Sequence, residues 1–153
     1  MRSLAHRSRW AFFCPLIGDT MRVDLAFPIK TYDIDFAGHV SNITYIRWLE
    51  DLRLEILRRS LPLGTLMARS QTPILLRTEI DYLAQARLPQ TVTGQMWVSA
   101  SSRARATLTA EFTIAETGEL SARAHQVICL VDTRRGRPIA LPEELQQAMG
   151  EDW

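Results

Sequence analysis

The residues of this chain that could do chemistry are concentrated in one short segment, YDIDFAGHVSN, at residues 32–42. Its reactive side chains are those of Asp33, Asp35, His39 and Asn42, grouped around Gly38. A helix is predicted to begin where this segment ends, and the first backbone N–H groups of a helix lack intrahelical partners and carry partial positive charge. Such a helix start can hold an oxyanion, and its field favours the ionised form of a nearby carboxylate, here that of Asp35.

A plainer interpretation of the two aspartates is structural, because aspartate before a helix usually caps the helix or shapes the preceding turn. Other familiar catalytic patterns are missing from the sequence: it has no GxSxG nucleophile elbow, no HExxH pair, no glycine-rich phosphate loop and no dinucleotide fingerprint. The histidines, His6, His39 and His125, are too few and too scattered for a metal site. We therefore expect neither a metal nor another cofactor, and we interpret His125 as a structural residue of a strand.

The segment from Asn42 to Arg59 has the apolar spacing of a helix. Its predicted inward stripe consists of Ile43, Ile46, Leu49, Leu52 or Arg53, and Ile56. Additional apolar residues widen this surface, so we expect the helix to be largely enclosed. Ser41 or Asn42 could cap its first turn, and Pro62 with Gly64 is expected to close the segment.

Five runs alternate between apolar and polar residues or are apolar throughout, as strands do. They cover residues 23–29, 74–82, 92–100, 106–114 and 124–131. Pro28 suits an edge position or a bulge, and the last run is expected to be a central strand. The turns ARLP, SSR and ETGE are short enough to join antiparallel neighbours. The order of elements predicts an α+β domain in which one antiparallel sheet wraps one helix.

Composition narrows the class of protein further. With 153 residues, 46% hydrophobic and 23% charged, the chain has the size and make-up of one globular domain. The formal net charge of +1 argues against a nucleic-acid partner, and no apolar stretch reaches the ~20 residues needed to span a membrane. The two cysteines, Cys14 and Cys129, suggest neither a disulfide scaffold nor a zinc site, and this cysteine usage fits a reducing cytoplasm. Lys30 is the chain's one lysine, so we do not expect catalysis by a lysine side chain.

The ends of the chain are expected to differ from its middle. Residues 1–20 resemble a signal peptide only superficially, because Pro15 interrupts the apolar run, and we interpret them as a disordered extension or a misassigned start. Residues 21–140 are predicted to form the domain. Residues 141–153 are predicted to form a C-terminal tail with a short helix.

A longer segment, YDIDFAGHVSNITYIRWLEDLR, resembles the hallmark of hot-dog-fold acyl-CoA thioesterases of the 4-hydroxybenzoyl-CoA thioesterase type, D-x-D-x-x-G-H-V-N-N-x-x-Y-x-x-x-x-E-x-x-R. The matching residues are Asp33, Asp35, Gly38, His39, Val40, Asn42, Tyr45, Glu50 and Arg53. Ser41 departs from the pattern, where an asparagine is common. The resemblance covers about residues 22–145 and implies the hot-dog fold, an antiparallel five-stranded sheet wrapped around one long central helix.

The resemblance also implies a mechanism. Asp35 corresponds to the family's catalytic aspartate and would attack the thioester carbonyl or activate a water, while backbone N–H groups at the helix start near Asn42 would polarise the carbonyl oxygen. Candidate substrate-binding residues are Gly38, His39, Tyr45 and Glu50. Some hot-dog thioesterases carry their catalytic carboxylate on this helix, where Glu50 lies, but Glu50 could equally be an ion-pair partner of Arg53 or Arg47.

The expected partners are an acyl-CoA or acyl-carrier thioester and further copies of the chain, since hot-dog proteins generally form dimers or tetramers with sites at the shared interface. We expect no nucleic acid and no membrane partner. Two other functions remain open at this point. Hot-dog dehydratases use a histidine motif that AGHVSN does not match, whereas a non-catalytic module that binds an acyl group or a protein is slightly favoured by the Ser41 departure.

Overall fold

The structure, a computed structural model, describes residues 21–148. Its strands are β1 (Arg22–Pro28), β2 (Gln71–Tyr82), β3 (Thr91–Ser101), β4 (Arg105–Ile114), β5 (Leu120–Asp132) and β6 (Arg137–Ile139). Its helices are α1 (Asn42–Ser60), α2 (Leu63–Ala68) and α3 (Glu143–Ala148). The predicted extension at residues 1–20, with His6 and Cys14, lies outside the described residues, as do residues 149–153 of the predicted tail. Across residues 21–148, no helix has both the length and the apolar character that crossing a membrane requires.

The strands form one antiparallel sheet in the order β1-β3-β4-β5-β2, and β6 pairs with the end of β5. The predicted arrangement of an antiparallel sheet around one long helix is confirmed, and β6 adds a short sixth strand to the five that were predicted. As expected, β1 with Pro28 is an edge strand, and β5 is an interior strand that pairs with both β4 and β2.

The connection after β2 was predicted wrongly. The turn ARLP does not join antiparallel neighbours, because β2 pairs with β5 whereas β3 lies between β1 and β4. Residues 83–90 instead cross the end of the sheet, and their backbone is hydrogen-bonded along the way. Leu83 and Ala84 donate to the Ser121 carbonyl, and the carbonyls of Ala86 and Gln90 accept from Val40 and Ile29.

Helix α1 buries one stripe against the inner face of the sheet, and that stripe differs from the predicted one. Ile43 and Ile46 are 62% and 43% exposed. The buried residues of the helix are Thr44, Tyr45, Trp48, Leu49, Leu52 and Ile56. The sequence offers apolar residues at both sets of positions, and the large rings of Tyr45 and Trp48 bury more area than Ile43 and Ile46 would. Aromatic packing therefore decides the rotation of the helix.

The ends of α1 follow the sequence closely. Ser41 is the N-cap, and its Oγ accepts a hydrogen bond from the backbone N–H of Ile43 at 3.4 Å. At the other end, α1 stops at Ser60, just before Pro62 as predicted, and Pro62 is the N-cap of α2, which leaves Gly64 inside that short helix. Proline suits this place, since the first residues of a helix need no backbone donor.

The C-terminal helix α3 packs at the end of α1 that lies away from the segment of residues 32–42. Leu141 and Leu145 are buried there. Glu144 forms an exposed ion pair with Arg69 at 2.8 Å, and this partner holds the pKa of the Glu144 carboxyl below its ordinary value. Exposed ion pairs add little to stability, so α3 is held mainly by its buried leucines.

An aromatic cluster fills the space between α1 and strands β1, β3 and β4. The rings of Phe27 and Trp48 stack with centroids 4.9 Å apart, and Phe112 lies 6.0 Å from Trp48. Gly94 in β3 leaves room for these rings, because a Cβ added there would lie 2.8 Å from Phe27 and 3.1 Å from Leu52. Any side chain at this position would therefore push into the core.

We expect Gly94→Ala to lower the free energy of unfolding by ~1–3 kcal/mol, because overpacking a filled core forces its neighbours to move. Urea denaturation measures this change. Gly64→Ala is the matched control, since an added Cβ meets nothing within 4 Å there and alanine is the better helix former. Equal unfolding free energies for Gly94→Ala and the unaltered protein would contradict the close approach of the rings to Gly94.

Candidate functional site

The loop between β1 and α1 is fastened by Asp33. Its Oδ2 accepts a hydrogen bond from the backbone N–H of Lys30 at 2.8 Å, at the start of a single 3-10 turn. Its carbonyl accepts from the backbone N–H of Ser41 at 2.8 Å and from the Thr44 hydroxyl at 3.3 Å. Asp33 is only 6% exposed. The structural interpretation therefore suits Asp33, which joins the loop to the first turn of α1.

Asp35 sits in a tight turn that leaves part of its carboxylate free. Its backbone N–H donates to the His39 carbonyl at 2.9 Å, and its carbonyl accepts from Gly38, whose φ of +83° favours glycine. Oδ1 accepts from the Ala37 backbone N–H at 2.8 Å and lies 3.8 Å from Nδ1 of His39. Within residues 21–148, Oδ2 receives no hydrogen bond. Asp35 thus shapes the turn with one oxygen and keeps the other available, with its side chain 29% exposed.

The start of α1 presents an unpaired backbone donor beside this turn. The Ser41 cap takes up the N–H of Ile43, and the N–H of Thr44 donates to the Ser41 carbonyl at 2.9 Å. Among the described residues, the N–H of Asn42 has no hydrogen-bond partner, as expected for the first position of a helix. This donor carries the positive end of the helix dipole, so it suits a partially negative oxygen.

A cavity of about 260 Å³, which we call the site cavity, opens beside the loop. It is lined in part by His39, Val40, Asn42, Tyr45, Tyr82 and Ala84. His39 lines the site cavity, and its Nδ1 lies 3.8 Å from Oδ1 of Asp35, so Asp35 is connected to this space through His39. Asn42, with its unpaired helix amide, lines the site cavity directly, whereas the Asp35 carboxylate lies behind His39.

Tyr45 and Tyr82 form the inner wall of the site cavity. The hydroxyl of Tyr45 is hydrogen-bonded to that of Ser121, which donates to the Ala84 carbonyl at 2.9 Å. Burial raises the pKa of Tyr45, although the Ser121 hydrogen bond opposes the shift, so its phenol stays neutral. The Tyr82 hydroxyl donates to the Asn42 carbonyl at 3.2 Å, and burial raises its pKa as well. Both rings present neutral polar tips.

Glu50 lies away from the site cavity within this chain. It forms an ion pair with Arg53, one turn further along α1. The Arg53 guanidinium also donates to Oε1 of Gln126 at 2.8 Å, and the buried Gln126 amide donates to the Thr78 hydroxyl at 3.0 Å. Burial lowers the pKa of Arg53, and the Glu50 carboxylate counters this shift. Of the two roles considered for Glu50, the structure shows the ion pair with Arg53, three residues further along the helix.

Glu50 and Arg53 border a second space of about 260 Å³, which we call the aliphatic cavity. It lies between the C-terminal half of α1, the sheet and α3. Residues that line it include Leu54, Leu57, Leu75, Leu108, Ile128 and Leu145. The surroundings of the ion pair are thus mostly hydrocarbon.

The structure brings Asp35, His39, Asn42 and Tyr45 together, with Gly38 turning the loop, but it leaves Glu50 at the other cavity. Sequence reasoning missed Tyr82 and residues 83–86 as part of the site. They come from the end of β2 and the following connection, about 40 positions after the loop. No local sequence motif marks Tyr82 and residues 83–86, because they approach Asn42 only where the connection after β2 crosses the end of the sheet.

This arrangement can support acyl transfer. A carboxylate with one free oxygen can act as base or nucleophile, and a preorganised amide can stabilise the oxyanion that forms. Within residues 21–148, no three side chains of His, Cys, Asp or Glu come close enough together to hold a metal ion. The polar groups at the site cavity and the adjoining turn include the Asp35 carboxylate, the His39 imidazole, two phenols, the side-chain amides of Asn42 and Gln85, and backbone amides.

Solved structures share this fold. The chain is similar to a hypothetical protein from Staphylococcus aureus solved in complex with CoA, at a TM-score of 0.78 and 17% identity over 83% of this chain and 80% of that one. It is also similar to the DHNA-CoA thioesterase from Staphylococcus aureus, with a TM-score of 0.76, 18% identity, and 83% and 87% of the two chains covered. The 1,4-dihydroxy-2-naphthoyl-CoA thioesterase from Synechocystis gives a TM-score of 0.77, 20% identity, and 85% and 96% covered.

At these identities the likeness shows the fold, and the hot-dog prediction is confirmed. No curated protein sequence matches the chain. A family model described as the thioesterase-like superfamily matches residues 29–149, which is most of the chain and includes the whole loop and α1. The chain belongs to the thioesterase-like superfamily.

Proposed function

We propose that this protein is a thioesterase that hydrolyses an acyl-CoA, aroyl-CoA or acyl-carrier thioester to a carboxylic acid and a free thiol. The observation that carries the proposal is a turn in which Asp35 keeps Oδ2 free of hydrogen bonds and contacts His39, while His39 and Asn42, whose N–H is unpaired, both line the site cavity. Membership of the superfamily supports it. So do the folds of proteins that are named as thioesterases or were solved with CoA.

In this mechanism the thioester carbonyl oxygen accepts a hydrogen bond from the Asn42 N–H, which stabilises the negative charge of the tetrahedral intermediate. Asp35 follows one of two routes. As a base, it takes a proton from a water molecule while the water oxygen attacks the carbonyl carbon. The tetrahedral intermediate then collapses, the C–S bond breaks, and the departing thiolate takes up the proton from Asp35. As a nucleophile, it attacks the carbon itself, expels the thiolate and forms a mixed anhydride, which water then hydrolyses to regenerate the carboxylate. Both routes consume one water and release one acid and one thiol.

A thioester suits a site with few catalytic groups. The conjugate acid of its thiolate leaving group has a pKa of ~8.5, so departure needs little help from a general acid. The remaining proposed roles are in positioning the substrate. The contact between His39 and Asp35 orients the carboxylate, Gly38 permits the turn, and Tyr45 borders the acyl group. Glu50, at the mouth of the aliphatic cavity, contacts the substrate further along the helix.

We expect Asp35→Asn to reduce kcat/KM by at least ~100-fold, because general acid–base catalysis alone contributes 10²–10⁴. The measurement follows thiol release from a panel of CoA esters of different chain length and aromaticity. Asp24→Asn is the matched control, since Asp24 is an exposed aspartate of β1 away from the loop. Equal turnover by Asp35→Asn and the control would contradict the role of Asp35. If the unaltered protein binds the esters but releases no thiol, the result would instead support the non-catalytic alternative.

We also propose that the protein forms a homodimer or homotetramer and works in the cytoplasm. Strand β2 is an edge of the sheet, and an unpaired edge invites pairing with another chain. Its exposed apolar residues include Ile74, Leu75, Leu76 and Tyr82, and Ile43 and Ile46 are exposed on α1. A second copy covering these residues would remove a large apolar surface from water. The free, buried Cys129 thiol fits a reducing compartment.

The oligomer predicts an assembly of at least two chains of 17.4 kDa at micromolar concentration. Sedimentation velocity measures its mass. Leu76→Lys, which places a charge on the β2 edge, is expected to shift the assembly towards monomer, because lysine on an edge strand opposes pairing. Leu88→Lys alters an exposed leucine outside β2 and serves as the control. A protein that sediments as a monomer before any substitution would overturn the proposal.

A further inference from the structure

The sheet has two open edges, β1 and β2, and they differ in how readily they pair with another strand. Strand β1 ends at Pro28 and exposes the charged Asp24, and both features oppose the addition of a strand. Strand β2 has 12 residues, and it exposes a run of three apolar side chains, those of Ile74, Leu75 and Leu76. The edge that favours pairing with a second chain is therefore β2.

Two-fold symmetry limits how two copies of β2 can pair. When the axis is perpendicular to the sheet, both copies keep α1 on the same side of the joined sheet and the two β2 strands run antiparallel. Residues that lie directly opposite each other in an antiparallel pair point to the same face. The axis must therefore pass beside one residue of β2 rather than between two neighbours, because neighbours point to opposite faces.

The two faces of β2 differ in charge. On the inner face, Ile80 packs against the core, and the Tyr82 ring lies on the Tyr45 ring with centroids 5.6 Å apart. The residues between and before them point to the outer face and are exposed and charged: Arg77, Glu79 and Asp81. The side chains of Arg77 and Glu79 are 67% and 56% exposed. These charges are free to meet those of a second copy.

The order of these charges selects the residue on the axis. With Thr78 on the axis, Arg77 of each copy faces the partner's Glu79, which gives two ion pairs between the copies. With Arg77 or Glu79 on the axis, that residue faces its own copy and like charges meet. With Ile80 on the axis, Glu79 faces the partner's Asp81, which is again a pair of like charges. Opposite charges across a strand pair are stabilising and like charges are destabilising, so the pattern favours Thr78.

This register brings the second copy to the wall of the site cavity. Tyr82, which lines that cavity, lies four residues beyond Thr78, and it is 41% exposed within one chain. The partner strand runs past it in the opposite direction and contains a bulge between Leu75 and Arg77. Because the bulge takes up one residue, Tyr82 lies opposite Pro73 of the partner subunit.

The neighbour of Tyr82 in the site cavity also lacks cover within one chain. Leu83 lines the cavity and is 56% exposed. The stretch of β2 that begins at Pro73 is apolar, and Pro73 has no N–H group to leave without a partner. Burial of Tyr82 and Leu83 against this stretch would remove apolar surface from water on both sides of the contact. The wall of the site cavity is thus incomplete in a single chain.

We infer that two copies of the chain pair through β2 with Thr78 on the two-fold axis, joined by two ion pairs between Arg77 and the partner's Glu79, and that the partner's Pro73 completes the site cavity at Tyr82. The inference rests on the proposed homodimer and, for the site, on the proposed function. A homotetramer would contain this dimer as its unit.

The first test reverses one charge in each of two variants. Arg77→Glu makes positions 77 and 79 both negative, and Glu79→Arg makes both positive, so each variant meets its own copy with like charges at two places. Each is expected to raise the dimer Kd, measured by sedimentation equilibrium, at least ~10-fold. In an equal mixture of the two variants, opposite charges face each other at both places. The mixture is therefore expected to have a Kd within ~3-fold of that of the unaltered protein.

Glu111→Arg is the matched control for the charge reversals. It breaks an exposed ion pair with Arg123, but β5 separates its strand, β4, from the β2 edge. We expect it to leave the dimer Kd unchanged. Variants that dimerise as tightly as the unaltered protein, or a mixture that dimerises no better than either variant alone, would overturn the inferred register.

The second test locates the axis directly. Thr78→Cys is expected to form a disulfide between the copies on mild oxidation, because a residue on the axis faces its own copy with Cα atoms about 5 Å apart. Glu79→Cys is the matched control, since its two Cα atoms would be roughly 8 Å apart, beyond the ~7 Å that a disulfide spans. The unaltered protein, with Cys14 and the buried Cys129, gives the background. A disulfide through Glu79→Cys, or none through Thr78→Cys, would overturn the register.

The third test measures whether the site needs the partner. At a protein concentration above the Kd of the unaltered dimer and below that of the charge-reversal variants, thiol release from CoA esters is expected to fall at least ~10-fold in each variant and to recover on mixing. Equal thiol release by the dissociated variants and the unaltered dimer would overturn the contribution of the partner to the site. No thiol release by the unaltered protein would contradict the proposed function, while sedimentation and crosslinking would still decide the register.

Discussion

The burial of one stripe of α1 against the inner face of the sheet is the constraint on which the other features depend. Tyr45, Trp48, Leu49 and Leu52 face the sheet, and their rings and branches fill the space around Phe112. This packing fixes the rotation of the helix, and the rotation decides where every other side chain of α1 points. Asn42 is left on the side of Tyr82 in β2, and the start of the helix is held at the end of the sheet where the loop and residues 83–90 meet.

The hydrogen bonds of Asp33 define the conformation of the loop between β1 and α1. By joining Lys30, Ser41 and Thr44, its carboxylate and carbonyl hold the two ends of the loop on the buried framework. Asp35 is then positioned by short-range contacts alone, with His39 and Ala37 as its neighbours. Asp33 and Asp35, the two acidic residues of the motif, therefore have different roles. The buried Asp33 secures the backbone, and the partly exposed Asp35 keeps one carboxylate oxygen free of hydrogen bonds beside His39.

Much of this could be predicted from the sequence because the signals are local. Helical spacing predicts the start of α1 near Asn42, side-chain chemistry limits its cap to Ser41 or Asn42, of which Ser41 is the one found, and strict alternation marks β1 and β4. The rotation of α1 could not be predicted, because apolar residues occupy two adjacent stripes and only the rings of the sheet choose between them. The position of β2 also depends on long-range pairing, so neither its neighbour β5 nor the placement of Tyr82 at Asn42 has a local signal.

The position of α3 has an evolutionary consequence. This helix lines one end of the aliphatic cavity through Leu145, and its described contacts are with α1, Arg69 and Leu141 rather than with the loop of residues 32–42. Inherited changes in α3 can therefore alter the depth of the cavity while the reactive turn keeps its geometry. Sequence changes that reshape this cavity from the C-terminal helix therefore need not disturb the packing that holds the acidic turn in place.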